Sequence, residues 1–158
     1  MIEEKYRHVA DYCQNGIDGI RRTGLKILEF RRRYIKIMMP IKGNGNHVGI
    51  MYAGSLFSLG EASGGFVFAS TFDPLQYYPI IKEVHIKFVK PATTDVTLIA
   101  ELNDDQIETV NRQLNETGRS KLTATYEIKD ATNEVVAIVH GNWPIRKLPE
   151  GFRNPLAR

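Results

Sequence analysis

The alternation of apolar and polar positions changes period several times along this chain, and each change marks an element. Between Glu3 and Gln14, Tyr6, Val9, Ala10 and Cys13 recur at helical spacing, which predicts a short amphipathic helix. Asn15, Gly16 and Gly19 break it. From Leu25 to Met39 the period is two, with Ile35, Ile37 and Met39 alternating against Tyr34, Lys36 and Met38, so one long strand or two consecutive ones are expected. Pro40 ends this stretch, and Gly43-Asn44-Gly45-Asn46 reads as a loop by turn chemistry. Ala53 to Ser70 then predicts a helix with almost no charge, which cannot lie on the outside of the protein. Its glycines, Gly54, Gly60, Gly64 and Gly65, each cost about 1 kcal/mol relative to alanine. They imply close approach of another backbone or a ligand.

The remainder supplies strands. Over Ile80 to Lys90, Val84, Ile86 and Phe88 share one face and Glu83, His85 and Lys87 the other, until Pro91 stops the run. Val96, Leu98, Ala100 and Leu102 make the next strand. Between Asp104 and Glu116 the period turns helical, with Ile107, Val110 and Leu114 as a thin apolar stripe and Gly118 as C-cap. Leu122 to Ile128 alternates again, Asp130 to Asn133 turns the chain, and Val135 to Ile145 forms the last strand. The pattern predicts one α+β domain over residues 1–158: a long antiparallel β-sheet curled around one central helix. An N-terminal helical extension covers 1–23, and a small helical insert covers 104–117.

Composition narrows the class. A single cysteine, Cys13, excludes an intramolecular disulfide and a zinc-type cysteine cluster, and a cytoplasmic compartment fits. The N-terminus mixes charges into its apolar positions and does not read as a signal peptide. The stretch around residue 61 is too rich in Gly and Ser to read as a membrane span. The net charge is +3 and the pI about 9.0, with Arg31, Arg32 and Arg33 prominent. In a strand that run splits across two faces, and no aromatic-basic platform accompanies it, so no nucleic-acid partner is expected. A modest positive field suits a small phosphate-carrying ligand.

Glu61 is the only acidic residue between Lys42 and Asp73. Burial in an apolar helix raises the pKa of such a carboxyl. It is either a hydrogen-bonded core acid or a general base or nucleophile in a dry pocket. Other candidates are weaker. His85 sits with Glu83 and Lys87 on a polar strand face, and His8 and His140 have no acid or cysteine at metal spacing, so no metal site is expected. Ser55, Ser58 and Ser63 have no base nearby, and neither a G-x-S-x-G elbow nor a dinucleotide or Walker glycine motif occurs.

Asn46, Gly49, Tyr52, Ala53 and Gly54, followed by Glu61, carry a family resemblance. Many hotdog-fold thioesterases of the phenylacetate-degradation type have N-x-x-G-x-x-H-G-G and then, after six residues, an acid; here Tyr52 and Ala53 replace His-Gly. Val89-Lys90-Pro91-Ala92 is similar to a turn of the same family, and the element order resembles the hotdog fold, so the chain looks like a divergent branch over Leu25 to Lys147. The resemblance implies hydrolysis of an acyl-CoA or acyl-carrier thioester. Glu61 would activate water or attack directly, the Gly54 N–H would polarise the carbonyl, and Asn46 would orient the water or carbonyl. Tyr52 would position rather than shuttle protons, since a phenol does not titrate near neutral pH, and Ala53 narrows the carbonyl site. The acyl group would enter near Phe57, Phe66 and Phe68. Lys90, with Lys82 and Lys87, would meet CoA phosphates unless these are ordinary solvated lysines. No cofactor is implied beyond the substrate's coenzyme A.

A homodimer is expected, because one curled sheet covers only part of such a helix; pairing of dimers into tetramers stays open. Two further readings stand beside this one. Hotdog 3-hydroxyacyl dehydratases pair a loop His with an acid fourteen positions on, as His47 and Glu61 are spaced, although their proline-rich loop is absent. The fold also serves non-catalytic acyl-CoA binding and regulation.

Overall fold

The structure, a computed structural model, describes residues 1–157. A single 3-10 turn at Glu4–Tyr6 leads into α1 (Arg7–Asp11), a π-helical turn at Tyr12–Gly16 and the short α2 (Asp18–Arg21). The break falls at Ile17, which is extended (φ −99°, ψ 108°), and Gly19 lies inside α2 rather than breaking a helix. Strands β1 (Lys26–Arg31) and β2 (Tyr34–Met39) form a hairpin, followed by the central α3 (Ala53–Thr71). Then come β3 (Tyr77–Pro79), β4 (Glu83–Phe88), β5 (Val96–Glu101), α4 (Asp104–Thr117), β6 (Arg119–Lys129) and β7 (Val135–Lys147).

The seven strands form one antiparallel sheet in the order β1-β2-β5-β6-β7, and β7 carries both β3 and β4 along its other side. Its concave face wraps α3, which is the hotdog arrangement. The core is built where these two layers meet: Ile35, Ile37, Leu98, Val139, Trp143 and Ile145 from the sheet close on Leu59, Val67 and Phe68 of the helix. One edge of the sheet is covered, since residues 1–3 run along β1 and exchange backbone bonds with Phe30. Among the described residues β4 is paired on one side only, with β7. Such an edge invites another strand.

Three expectations change. The Arg31–Arg33 run is not one strand: Arg31 ends β1, and Arg32 and Arg33 form the β1–β2 turn. Arg33 sits at φ 71° and is held there by tertiary contacts, its guanidinium reaching Leu102 O at 3.1 Å and Asp104 at 2.7 Å, while Arg31 stacks 3.8 Å over the Tyr34 ring. The strand expected over Ile80 to Lys90 is broken: Ile80 and Lys82 bond to carbonyls of Pro144 and Asn142 between β3 and β4. The last strand extends beyond Ile145 to Lys147. The insert helix α4 follows its sequence signals closely. Asn103 and Gln106 form a reciprocal capping box, Gly118 closes the C-terminus at φ 67°, and Ile107, Val110 and Leu114 are its buried stripe.

Candidate active site

Helix α3 starts without a side-chain cap. Tyr52 is the N-cap residue, and its carbonyl accepts from the N–H groups of Ser55 (3.0 Å) and Leu56 (3.2 Å). The N–H groups of Ala53 and Gly54, in the first turn, have no helical carbonyl to bond and point toward the end of the helix, where its dipole favours negative charge. The Tyr52 ring, 58% exposed, lies directly over Gly54, where a Cβ would press into it. Gly54 therefore makes room for that ring, and Tyr52 forms one wall of the helix entrance.

The loop before the helix is fastened by Asn44, a residue the motif spacing does not single out. Asn44 is buried. Its Nδ2 donates to Thr23 O (2.7 Å) and Pro40 O (2.9 Å), its Oδ1 accepts from the Ser55 hydroxyl (2.8 Å), and its backbone carbonyl accepts from Tyr52 N (2.7 Å). Asn46 holds the loop tip instead: its Oδ1 accepts from Val48 N (3.0 Å) and Ile50 N (3.2 Å), leaving only its NH2 to face a ligand. His47 is exposed on that tip and does not line the cavity beside Glu61. The next residues are joined to the Lys90-Pro91-Ala92 turn by Met51 N donating to Ala92 O at 2.8 Å.

Along α3, burial leaves one uncovered stripe. Gly54, Phe57, Ser58, Glu61 and Gly65 are half-buried or exposed, while nearly everything else faces the sheet. Gly54, Ser58, Glu61 and Gly65 recur at helical spacing on one face. The glycines thus split by role, which their sequence does not reveal. Gly60 and Gly64 admit Val139 and Trp143 of β7, whereas at Gly65 a Cβ would meet only Pro79 at 4.0 Å. Trp143 is wedged between Gly64 and Gly141, and its Nε1 donates to the carbonyl of Glu61 at 3.0 Å. The chain's single tryptophan fixes the backbone that carries the acid.

The Glu61 side chain opens into a cavity of about 530 Å³ in which it is, among the described residues, the only charged lining residue. One wall is α3 itself, through Phe66 and Phe68; β3 supplies Tyr77 and Pro79. The remaining walls come from the chain ends: Tyr12, Cys13 and Ile20 near the N-terminus, and Leu148, Phe152 and Leu156 after β7. Among the described residues no hydrogen bond or ion pair engages the carboxylate. Burial alone pushes its pKa above the usual carboxylate range. Burial likewise pushes the Cys13 thiol up to about 12, so it stays a protonated, inert wall residue.

Of the residues expected to bind substrate, Phe66 and Phe68 reach this cavity; Phe57 does not, lying 41% exposed farther up the stripe. Lys90 is not free for a phosphate, because it is ion-paired with Asp130 and Glu134. Tyr52, Ala53 and Gly54 gather at the helix entrance, two turns from Glu61. The C-terminal wall escaped the sequence reading, although apolar Leu148, Phe152 and Leu156 beyond the last strand are the signal that could have located it. Among the described residues no three His, Cys, Asp or Glu gather as a metal site. No helix there is long and apolar enough to cross a membrane.

Residues 24–145 match the family model for a domain of unknown function, DUF4442. A crystal structure of PA5026 from Pseudomonas aeruginosa, a protein of unknown function and probable thioesterase, superposes with a TM-score of 0.84 at 31% identity, covering 94% of this chain and 99% of the other. Two more distant structures share the fold: thioesterase HI1161 of Haemophilus influenzae (TM-score 0.69, 15% identity, 92% of each chain) and a glutamine-to-alanine variant of thioesterase PA1618 of Pseudomonas aeruginosa (TM-score 0.68, 15% identity, 85% and 89%). No curated protein matches the sequence.

Proposed function

The chain belongs to the DUF4442 family, within the hotdog-fold thioesterase superfamily, and on that footing we propose that it hydrolyses an acyl thioester with Glu61 as the catalytic carboxylate. The observation that carries this reading is that, among the described residues, Glu61 is a lone, desolvated acid without a partner at an otherwise uncharged cavity. Thioester hydrolysis needs a base for the attacking water and a donor for the developing oxyanion. A carboxylate with few competing partners and a raised pKa is a stronger base than one in water. Glu61 takes a proton from water or attacks the carbonyl carbon itself, and the helix-entrance N–H of Gly54 receives the oxyanion. Asn46 donates to the water or carbonyl through its NH2, and Tyr52 and Ala53 bound the thioester from one side.

Seven residues separate Gly54 from Glu61, about 10 Å along one face of a helix that rises 1.5 Å per residue. One carbonyl cannot meet both within a subunit. Two copies of α3 running antiparallel across a two-fold axis solve this, placing Gly54 of one chain opposite Glu61 of the partner subunit. The half-covered stripe and the unpaired β4 edge support such a homodimer, with the edges joining the two sheets. The acyl group is apolar and bulky, aliphatic or aromatic, because the cavity walls offer it only aromatic rings, aliphatic side chains and a few neutral polar groups.

Thiol release from a panel of short- to long-chain and aromatic acyl-CoA esters tests the proposal. Turnover should favour acyl groups large enough to fill the cavity. Gly65→Leu, which projects into open space beside Glu61, should shift preference toward smaller ones. Saturable binding of the whole panel without turnover would assign the site to ligand sensing instead.

A further inference from the structure

A second groove lies on the outer, convex face of the sheet, and the chemistry of Glu61 does not use it. Arg119 and Lys121 project outward from β6 there, and Asn142 and Arg146 from β7; Lys82, just before β4, closes one end. The space is about 330 Å³. The strand register puts Arg119 directly opposite Arg146, a like-charge pairing that disfavours the bare sheet. Among the described residues none of these four cations has a carboxylate within 4.0 Å. Glu83, next to Lys82 in sequence, is turned to His85 at 2.7 Å.

One feature shows that the cluster is ordered, and a second that it holds unused hydrogen-bonding capacity. The Arg146 guanidinium donates to the carbonyls of Ser120 (3.3 Å) and Ile145 (3.0 Å), so its position is set before any ligand arrives. The Asn142 side-chain oxygen is buried without a hydrogen-bond partner. Rotating that amide by half a turn exchanges an unsatisfied acceptor for an NH2 donor at the same place. Two guanidinium forks, two ammonium groups and an amide donor around one concavity match the several acceptor oxygens of a phosphate group.

We propose that this groove binds a phosphate-bearing anion, held by Lys82, Arg119, Lys121 and Arg146 with the Asn142 amide as a neutral donor. Two sources share that chemistry. Pro79, which walls the Glu61 cavity, precedes Lys82 by three residues, about 10 Å of extended chain, so the phosphates of a thioester's carrier can reach the groove. Free orthophosphate is the other source.

Isothermal titration of the intact protein with inorganic phosphate, and separately with adenosine 3′,5′-bisphosphate, tests the site. Saturable binding is expected, weakened at least tenfold by the double substitution Arg119→Gln/Lys121→Gln and severalfold by Lys82→Gln alone. Thermal unfolding checks that each variant is folded; if the double variant is not, exposed Lys82→Gln decides. A bisphosphate bound much more tightly than orthophosphate identifies a nucleotide-borne phosphate, and comparable affinities identify the free anion. Glu61→Gln should bind either probe as the wild type does, which separates this site from the fate of the thioesterase reading. No saturable binding, or binding unchanged by the charge-removing substitutions, would overturn the proposal.

Discussion

Gly64→Ala perturbs the contact that seats the central helix on its sheet, and its cost can be worked out from geometry. A methyl group at Gly64 would have three atoms of the Trp143 indole within 2.6 Å, against an ordinary carbon–carbon contact of about 3.5–4.0 Å. The ring has to retreat by about 1.4 Å or more to reach ordinary contact, but Gly141 lies against the same indole, where a Cβ would also come within 2.6 Å of three ring atoms. Overpacking of this kind costs about 1–3 kcal/mol. The strained ring also endangers the Trp143–Glu61 hydrogen bond, worth about 1 kcal/mol, and better helix propensity returns about 1 kcal/mol. The net is a destabilisation of about 1–3 kcal/mol, or a fall in Tm of about 3–10 °C for a chain of this size. Gly65→Ala is the matched control, since its methyl would meet only Pro79 at 4.0 Å and should leave Tm unchanged or raised. Calorimetric or circular-dichroism melts of both variants at neutral pH make the comparison. A Gly64→Ala protein melting at or above wild type would refute the packing argument.

Three further predictions follow from the same contacts. Because burial raises the folded-state pKa of Glu61, the folded protein holds that proton more tightly than the unfolded chain. The ionised acid therefore costs stability once pH rises past the unfolded value near 4.5, and denaturant melts should find Glu61→Gln about 1 kcal/mol more stable than wild type at pH 8. That gap should vanish below about pH 4; a gap independent of pH, or of opposite sign, argues against a desolvated carboxylate. Asn44→Ala removes three hydrogen bonds made by a buried side chain and should lower stability by about 2–3 kcal/mol in urea unfolding, whereas Asn46→Ala at the loop tip should cost less than half of that. Cys13, with its thiol pushed up to about 12, should resist iodoacetamide at pH 8 in the native state and react when unfolded; rapid native labelling would contradict its burial.

The parts of the fold that rest on local pattern are legible in the sequence. Period-two alternation places Ile35, Ile37, Leu98 and Ile128 in the core, and the capping residues of α4 announce both its ends. Glu61 stands out for a simple reason: one charge in an apolar helix is costly unless the site uses it. What the pattern cannot supply is the identity of the partner surface. Gly60 and Gly64 are one turn apart, as are Gly54 and Ser58, yet only the fold decides which pair meets Val139 and Trp143 and which faces outward. Arg33 occupies a left-handed turn with no glycine or asparagine to signal it, because contacts from Leu102 and Asp104, about 70 residues away, hold it there. The cavity was hidden for the same reason, its walls being assembled from Tyr12 and Cys13 at one end of the chain and Leu148 and Phe152 at the other.

The most direct test of the central claim is the steady-state hydrolysis of a bulky acyl-CoA ester by wild type and Glu61→Gln, with substrate binding measured in parallel. The substitution keeps the shape of the side chain and removes the base, so kcat should fall by about 10²–10⁴-fold while the dissociation constant changes little. A Glu61→Gln protein that turns substrate over at the wild-type rate would contradict the account.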